Sequence, residues 1–448
     1  MRYSKSARRG LTLVALGAAT ALVTTGCSAG SLGSSSGDSS GSAAATTITY
    51  LVDNSDASVK GANALIEAFK AASPEITVKL DTRPGGADGD NLVKTKLATS
   101  DMADVFTYNN GSLFQALKPA QNLTPLDDQP WVSGLQKLFV DSTTADGKLY
   151  GAPNATAFGG GILYNIPVYK KLGLKVPTTW DEFMANNDAI KKAGGITPVE
   201  ATYGDTWTSQ LPVLADYANV EAAVPDFATK YTENQAKYAT TPAALAGFTH
   251  IQELHDGGYF NKDFASAKFN DGLKDIASGK AAHYPQIGGV TSGLDALSNG
   301  KTNDVGLFAW PGTDASKNVL TGWSSNATYI PKTVEGAKLD AAKKFVAFSE
   351  TQPGCDAISK GSAPTGPYMN SACKLPSNVT TVAKDTSAYF DSGKVSPALE
   401  FKSPIKGPNL EQICIQVGTG QVNGAKGAAL YDADVKKQAQ QLNLPGWE

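Results

Sequence analysis

Ile48-Thr49-Tyr50-Leu51-Val52, then Asp53-Asn54-Ser55-Asp56, then apolar residues at Val59, Ala62, Leu65, Ile66, Phe69 and Ala72: this stretch decides the fold class. The first five residues are β-branched, aromatic or aliphatic, the make-up of a short strand. The six apolar positions recur at three and four, which puts them on one helical face, and Ser73-Pro74 stops the helix. Working outward, Ile76 to Leu80 reads as a second strand, residues 90–98 as a second helix and Asp104 to Tyr108 as a third strand. Strands alternating with helices imply a largely parallel sheet in an α/β lobe. In such a sheet the loops leaving the carboxyl ends of the strands line the ligand crevice. Asp53 and Asn54 after the first strand, and Asn109 and Asn110 after Tyr108, therefore fall on one rim. Their side chains donate and accept as hydroxyl recognition requires, although Asn and Asp serve equally as turn formers and helix caps.

Toward the amino end, Leu11 to Cys27 is an apolar run behind Arg2, Lys5, Arg8 and Arg9, the arrangement of an export signal. It closes on Thr25-Gly26-Cys27-Ser28, which resembles the lipobox of bacterial lipoproteins, where the signal is removed and Cys27 becomes the lipidated first residue. Thr24 departs from that pattern, which favours a larger aliphatic residue three positions before the cysteine. Arg8-Arg9 leaves the general secretory and twin-arginine routes both open. Residues 28–45 are almost entirely Ser, Gly and Ala, a flexible tether holding the next domain roughly 20 to 25 Å from the membrane.

Toward the carboxyl end, a second unit begins near Lys148 to Pro153 and continues through Phe158 to Asn165. Thr179 and Glu182 have capping-box spacing, and further helical patterns occupy 241–256, 263–277 and 338–349. The roughly 400 residues beyond the linker exceed what one core supports, so two domains are expected. A formal net charge of -3 argues against a nucleic-acid partner. Beyond residue 9 the sole arginine is Arg83, and since arginine forks are the favoured recognisers of carboxylate and phosphate, a neutral ligand is expected. Cys355 and Cys373 could close a local disulfide loop, whereas Cys414 sits among Leu410, Ile413 and Val417 at helical spacing as a small buried hydrophobe. The cysteine spacings give no zinc pattern, and no metal or cofactor is expected.

In order and spacing, Tyr150-Gly151-Ala152-Pro153, Leu163-Tyr164-Asn165, Pro177 to Phe183, Phe269-Asn270-Asp271-Gly272, Gly279-Lys280-Ala281-Ala282 and Gly322-Trp323 resemble the extracellular solute-binding proteins of ABC importers, the family of maltose-binding protein. The resemblance implies a two-lobed periplasmic-binding-protein-like α/β fold with lobes joined by hinge strands. Crossings are expected near 153, 302 and 352. The division is then 1–26 signal peptide, 27–45 linker, 46–153 plus 303–352 first lobe, and 154–302 plus 353–448 second lobe. It further implies hinge closure on a ligand and delivery to a membrane permease with its ATPase, by a monomer anchored outside the cell.

By position, the resemblance puts Asp53, Asn54, Tyr108, Asn109 and Asn110 on the first-lobe rim and Asn154, Thr156 and Phe158 after the first crossing. Tyr203 and Trp207 correspond to an aromatic segment. Gln286, Trp323, Ser325, Asn326, Lys406 and Glu411 complete the candidate contacts. Aromatic faces among amides and carboxylates suit a sugar, whose ring plane carries hydroxyls and whose faces are apolar. Trp180 and Trp310 read as structural, at a capped helix start and a Trp-Pro-Gly turn. An exported carbohydrate hydrolase is the competing class, but His-Glu-x-x-His, a nucleophile elbow and a Walker-type loop are all absent. A lipoprotein presenting ligand to a sensor would share the fold.

Overall fold

The computed structural model describes residues 46–361 and 363–448, so the expected signal peptide, the linker and Cys27 lie outside the described residues. The run that opened the sequence lies in strand β1 (Thr46–Asp53), where Ile48, Tyr50, Leu51 and Val52 are all buried. Helix α1 (Asp56–Ala72) starts at Ser55, whose hydroxyl accepts the Ser58 backbone N–H at 3.3 Å, and turns Ala62, Leu65 and Phe69 to the core. β2 (Ile76–Arg83), α2 (Gly86–Ala98) and β3 (Val105–Tyr108) follow, and β1 runs parallel to both β2 and β3. A small hairpin, β4 (Thr144–Ala145) and β5 (Lys148–Leu149), leads into β6 (Ala152–Asn154).

The chain then crosses to a second sheet through residues 155–157. Ala155 holds φ +77°, a left-handed backbone that a residue with a Cβ adopts at a cost of about 1–3 kcal/mol. β7 (Phe158–Asn165) is the centre of the second sheet, joined by β8 (Thr197–Val199), β9 (Ala281–Ile287), β10 (Val305–Ala309) and β11 (Leu320–Trp323). The chain returns at Ser324-Ser325 to β12 (Asn326–Tyr329), which lies antiparallel between β3 and β6, and later supplies β13 (Val395–Pro397) beside β11. The first sheet has the order β2-β1-β3-β12-β6 and the second β13-β11-β7-β9-β8, with β10 also paired to β7.

Two of the expected crossings move. The one placed near 302 falls instead at Ser324-Ser325, because β10 and β11 both pair antiparallel with β7, so residues 305–323 belong with the second sheet. The one placed near 352 comes later, because helix Gln352–Ile358 packs on α1 of the first lobe. There Gly61 and Gly361 bring the two backbones together: a Cβ on Gly361 would lie 2.5 Å from the Gly61 nitrogen. The chain next runs beside the first crossing, where Ala157 N–H donates to the Pro367 carbonyl at 2.9 Å. Cys355 and Cys373, 18 residues apart, are joined and tie this segment back to the helix.

Elsewhere local patterns and elements agree. Thr179 and Glu182 form a reciprocal capping box at the start of Trp180–Ala193, and the 338–349 pattern falls in Gly336–Ser349. The 263–277 pattern shortens to Phe269–Ser278, since the Asp263 carbonyl takes the Ser266 and Ala267 N–H groups into a turn and Asp205 accepts the Phe269 N–H at 2.8 Å. Among the described residues no helix is long and apolar enough to cross a membrane.

Opening the disulfide should matter, because it restrains a loop of the unfolded chain. Cys355→Ser with Cys373→Ser is expected to lower stability by about 3 kcal/mol, read as a lower urea midpoint. An unchanged midpoint would assign the hold on this segment to its packing against α1.

Candidate functional site

The two crossings run side by side, and this brings candidates from distant parts of the chain together. Asn326 pairs with Asn154 where β12 begins and β6 ends in the first sheet, and Trp323 pairs with Phe158 where β11 ends and β7 begins in the second. The Phe158 and Trp323 rings lie parallel, 2° apart with centroids at 5.9 Å. Gly160 permits this: a Cβ there would run into Cζ3 of the indole and lie 2.9 Å from Cη2. The indole Nε1–H donates to Glu400 Oε1 at 2.6 Å.

On the second-lobe side Trp323 lines a shallow recess with Leu214, Tyr238, Leu399, Glu400 and Lys406. On the first-lobe side a recess is lined by Tyr50, Val52, Ser58, Thr107, Asn154 and Ala155. Asn154 Nδ2 reaches both Tyr50 Oη at 3.1 Å and Thr328 Oγ1 at 3.2 Å, which orients its amide. Burial pushes the Tyr50 hydroxyl up to about 12, against the hydrogen bonds from Asn154 and Thr328, so it stays protonated at neutral pH.

The first-lobe rim residues divide. Asp53 accepts Ser55 N–H at 3.0 Å and Ser58 Oγ–H at 2.6 Å, so it braces the start of α1. Partial desolvation works to raise its pKa, but these hydrogen bonds and the Arg83 guanidinium outweigh it and hold the carboxyl below the usual range. Asn54 is exposed, its N–H tied to the Arg83 carbonyl. Asn109 is half-buried and its carbonyl accepts the Tyr329 hydroxyl at 3.1 Å. Asn110 Nδ2 donates to the Ser325 carbonyl at 2.6 Å and so ties this loop to the second crossing. Ser325 itself is buried, and its hydroxyl has no partner among the described residues.

Four expectations change. Tyr108 is interior, 1% exposed, packed with Phe106 and Phe114 in the core beneath the rim, with Arg83 over its ring. Thr156, in the first crossing, bonds Thr365 of the segment that runs beside it and serves the junction. Tyr203 turns into the second lobe, edge-on to Phe260 and Phe264, where Gly418 leaves room for its ring. Glu411 has both oxygens engaged by the turn at 206–210, accepting Thr206 Oγ1–H at 2.6 Å and Gln210 Nε2–H at 3.0 Å. Trp207 lies against Phe269, and Gln286 is fully buried opposite Gly161 with its amide unpartnered among the described residues.

Sequence reading missed Glu400, Tyr238 and Leu214. A carboxylate 77 residues from the indole it binds leaves no local signal. The aromatics read as structural are so: His250 stacks on Trp180 with centroids 3.7 Å apart and its Nδ1 accepts from Trp310 Nε1. Burial holds His250 down to about 3, which keeps the ring neutral and fit to accept.

A family model for bacterial extracellular solute-binding proteins matches residues 53–353. The multiple sugar-binding protein of Streptococcus mutans is 27% identical over 296 residues, covering 64% of this chain and 67% of its own. Among solved structures, the apo form of RafE from Streptococcus pneumoniae superposes with a TM-score of 0.72 at 19% identity, over 89% of this chain and 99% of that one. A chitin oligosaccharide binding protein gives 0.70 at 22% identity, over 88% of this chain and 99% of that one. With its two α/β lobes, adjacent crossings and a family match over most of its length, the chain belongs to the bacterial extracellular solute-binding proteins.

Proposed function

We propose that the chain captures a neutral sugar, an oligosaccharide, between its lobes as the binding component of an ABC importer. The parallel Phe158 and Trp323 rings beside a recess holding Glu400 and Lys406 carry this reading, because aromatic faces with flanking acceptors and donors match a sugar ring. Asn154, Asn326 and the exposed Asn54 supply further hydroxyl partners. The neutral charge of the ligand follows from Arg83: its Nη1 and Nη2 donate to the carbonyls of Pro84 and Thr107, so the sole arginine beyond residue 9 is engaged inside the first lobe. The names of the relatives, a multiple sugar-binding protein and a chitin oligosaccharide binding protein, support the same ligand class.

Capture would proceed by rotation of the lobes about the crossings at 155–157, 324–325 and beyond Cys373, followed by docking of the closed monomer on a permease with its ATPase. Cys27 would carry a lipid anchor, palmitate included, and hold the protein at the outer face of the cell membrane. A hydrolase is the weaker reading, since among the described residues the second-lobe recess has Glu400 as its one lining carboxylate and the first-lobe recess has none, where glycoside cleavage uses a pair.

Calorimetry of the purified protein across a glycan panel is expected to find a mono- or oligosaccharide bound at micromolar Kd or tighter. Saturation at a hundred times Kd should add about 2.7 kcal/mol to stability, visible as a raised melting temperature. Binding of amino acids or phosphates alone would overturn the reading.

A further inference from the structure

Trp323 ends β11, and two contacts set its indole. Gly160 supports one face, and Glu400 Oε1 accepts its Nε1–H at 2.6 Å. Glu400 lies in the short turn Leu399–Phe401 directly after β13, and that turn is locked to β11 because Ala398 N–H donates to the Gly322 carbonyl at 3.0 Å. Indole and carboxylate thus ride on neighbouring strands of one sheet. The same turn meets the first lobe. Gly111, at φ +63°, lies so close that a Cβ there would be 2.6 Å from Phe401 Cδ1 and 3.0 Å from the Glu400 carbonyl oxygen. The second carboxylate oxygen, Oε2, accepts no protein hydrogen bond among the described residues, although Glu400 is half-buried and lines the recess with Lys406. A half-buried carboxylate oxygen left free beside an aromatic face has the chemistry of an acceptor for a ligand hydroxyl.

We propose that Glu400 is a positioning and specificity-determining residue of the recess: Oε1 fixes the Trp323 indole parallel to Phe158, and Oε2 accepts a hydroxyl of the bound ligand. This rests on the sugar reading for its second half only. The first half concerns the free protein.

Glu400→Ala removes both functions, whereas Glu400→Gln keeps an oxygen that can accept from the indole and replaces the other with an N–H₂ donor. In protein carrying 5-fluorotryptophan, the fluorine resonance of Trp323, identified by its loss in Trp323→Phe, is expected to shift or broaden in Glu400→Ala and to hold its place in Glu400→Gln, without ligand. With the best-binding glycan of the panel, affinity is expected to fall by about 30-fold or more in Glu400→Ala and by about tenfold in Glu400→Gln. An unmoved Trp323 resonance in Glu400→Ala overturns the positioning role. Wild-type affinity in Glu400→Gln overturns the ligand contact. Should wild-type protein bind no glycan, the sugar reading and with it the ligand contact fall, while the fluorine resonance still decides the positioning role.

Discussion

Trp323→Ala is expected to weaken sugar binding by about 30-fold and to destabilise the protein by about 3–5 kcal/mol. The first effect follows from the position of the indole, parallel to Phe158 at the mouth of the recess, where it offers the apolar face that a sugar ring needs. The second follows from burial: the side chain is only 8% exposed and packs over Gly160, so truncation opens a cavity and leaves the Glu400 carboxylate without its donor. Trp323→Phe separates the two. It keeps an aromatic face and most of the packing but lacks the Nε1–H, so it should retain most of the stability while losing part of the affinity. Calorimetry and melting temperatures measured side by side check both. Unchanged affinity in Trp323→Ala would return the residue to the core.

The parts of this fold legible in sequence are those decided within about twenty residues. β1 and α1 declare themselves because a short β-branched, aromatic and aliphatic run and three-four spacing are local, and Ser55 and Ser73-Pro74 bracket the helix. β10 and β11 are different. Val305 to Ala309 is buried along its whole length and Leu320 to Trp323 is four residues long, so neither has a pattern that states which sheet it joins. Their place is fixed by antiparallel pairing with β7, well over a hundred residues earlier, and that moved the return crossing from 302 to 324. The site divides in the same way. The order of segments along the chain put Asn154 beside the first crossing, whereas Trp323, expected within the first lobe, ends β11 of the second sheet. Tyr203 could not be told from a ligand platform, because Phe260, Phe264 and Gly418 turn it inward from three separate elements. Glu411 looked free until Thr206 and Gln210 reached it from another helix, and Glu400 had no visible partner until β13 lay beside β11.

Glu350→Gln is expected to stabilise the protein at pH 8 by a few kcal/mol and to leave it unchanged at pH 4. Glu350 caps helix Gly336–Ser349 and is buried beside a narrow crevice that Pro153, Ala155, Tyr368, Met369 and Asn370 also line. Asn370 Nδ2 donates to its Oε2 at 3.0 Å. Ser349 Oγ–H is shared between the Val346 carbonyl at 2.7 Å and, at a long 3.4 Å, Glu350 Oε1. Burial raises its pKa from 4.5 to about 8 against the pull of the Asn370 and Ser349 hydrogen bonds, and no cation among the described residues offsets it. The folded chain therefore binds one proton more than the unfolded chain between those values. Stability from this group is fully present below about pH 4.5 and is lost as pH rises through about 8, a change of roughly 5 kcal/mol. Asp53 and Asp128, whose carboxyls are held low, act in the opposite sense, so the pH profile of the wild type alone is a sum. Subtracting the profile of the glutamine variant, which stays neutral and can donate toward Ser349, isolates Glu350. Urea midpoints at pH 4, 6 and 8 should diverge steadily, and equal midpoints at pH 8 would sink the assignment. Because Ala155 of the first crossing and the segment that runs beside it line the same crevice, ionising Glu350 loads the junction about which the lobes turn. Ligand affinity should then fall with rising pH in the wild type and hold in the variant.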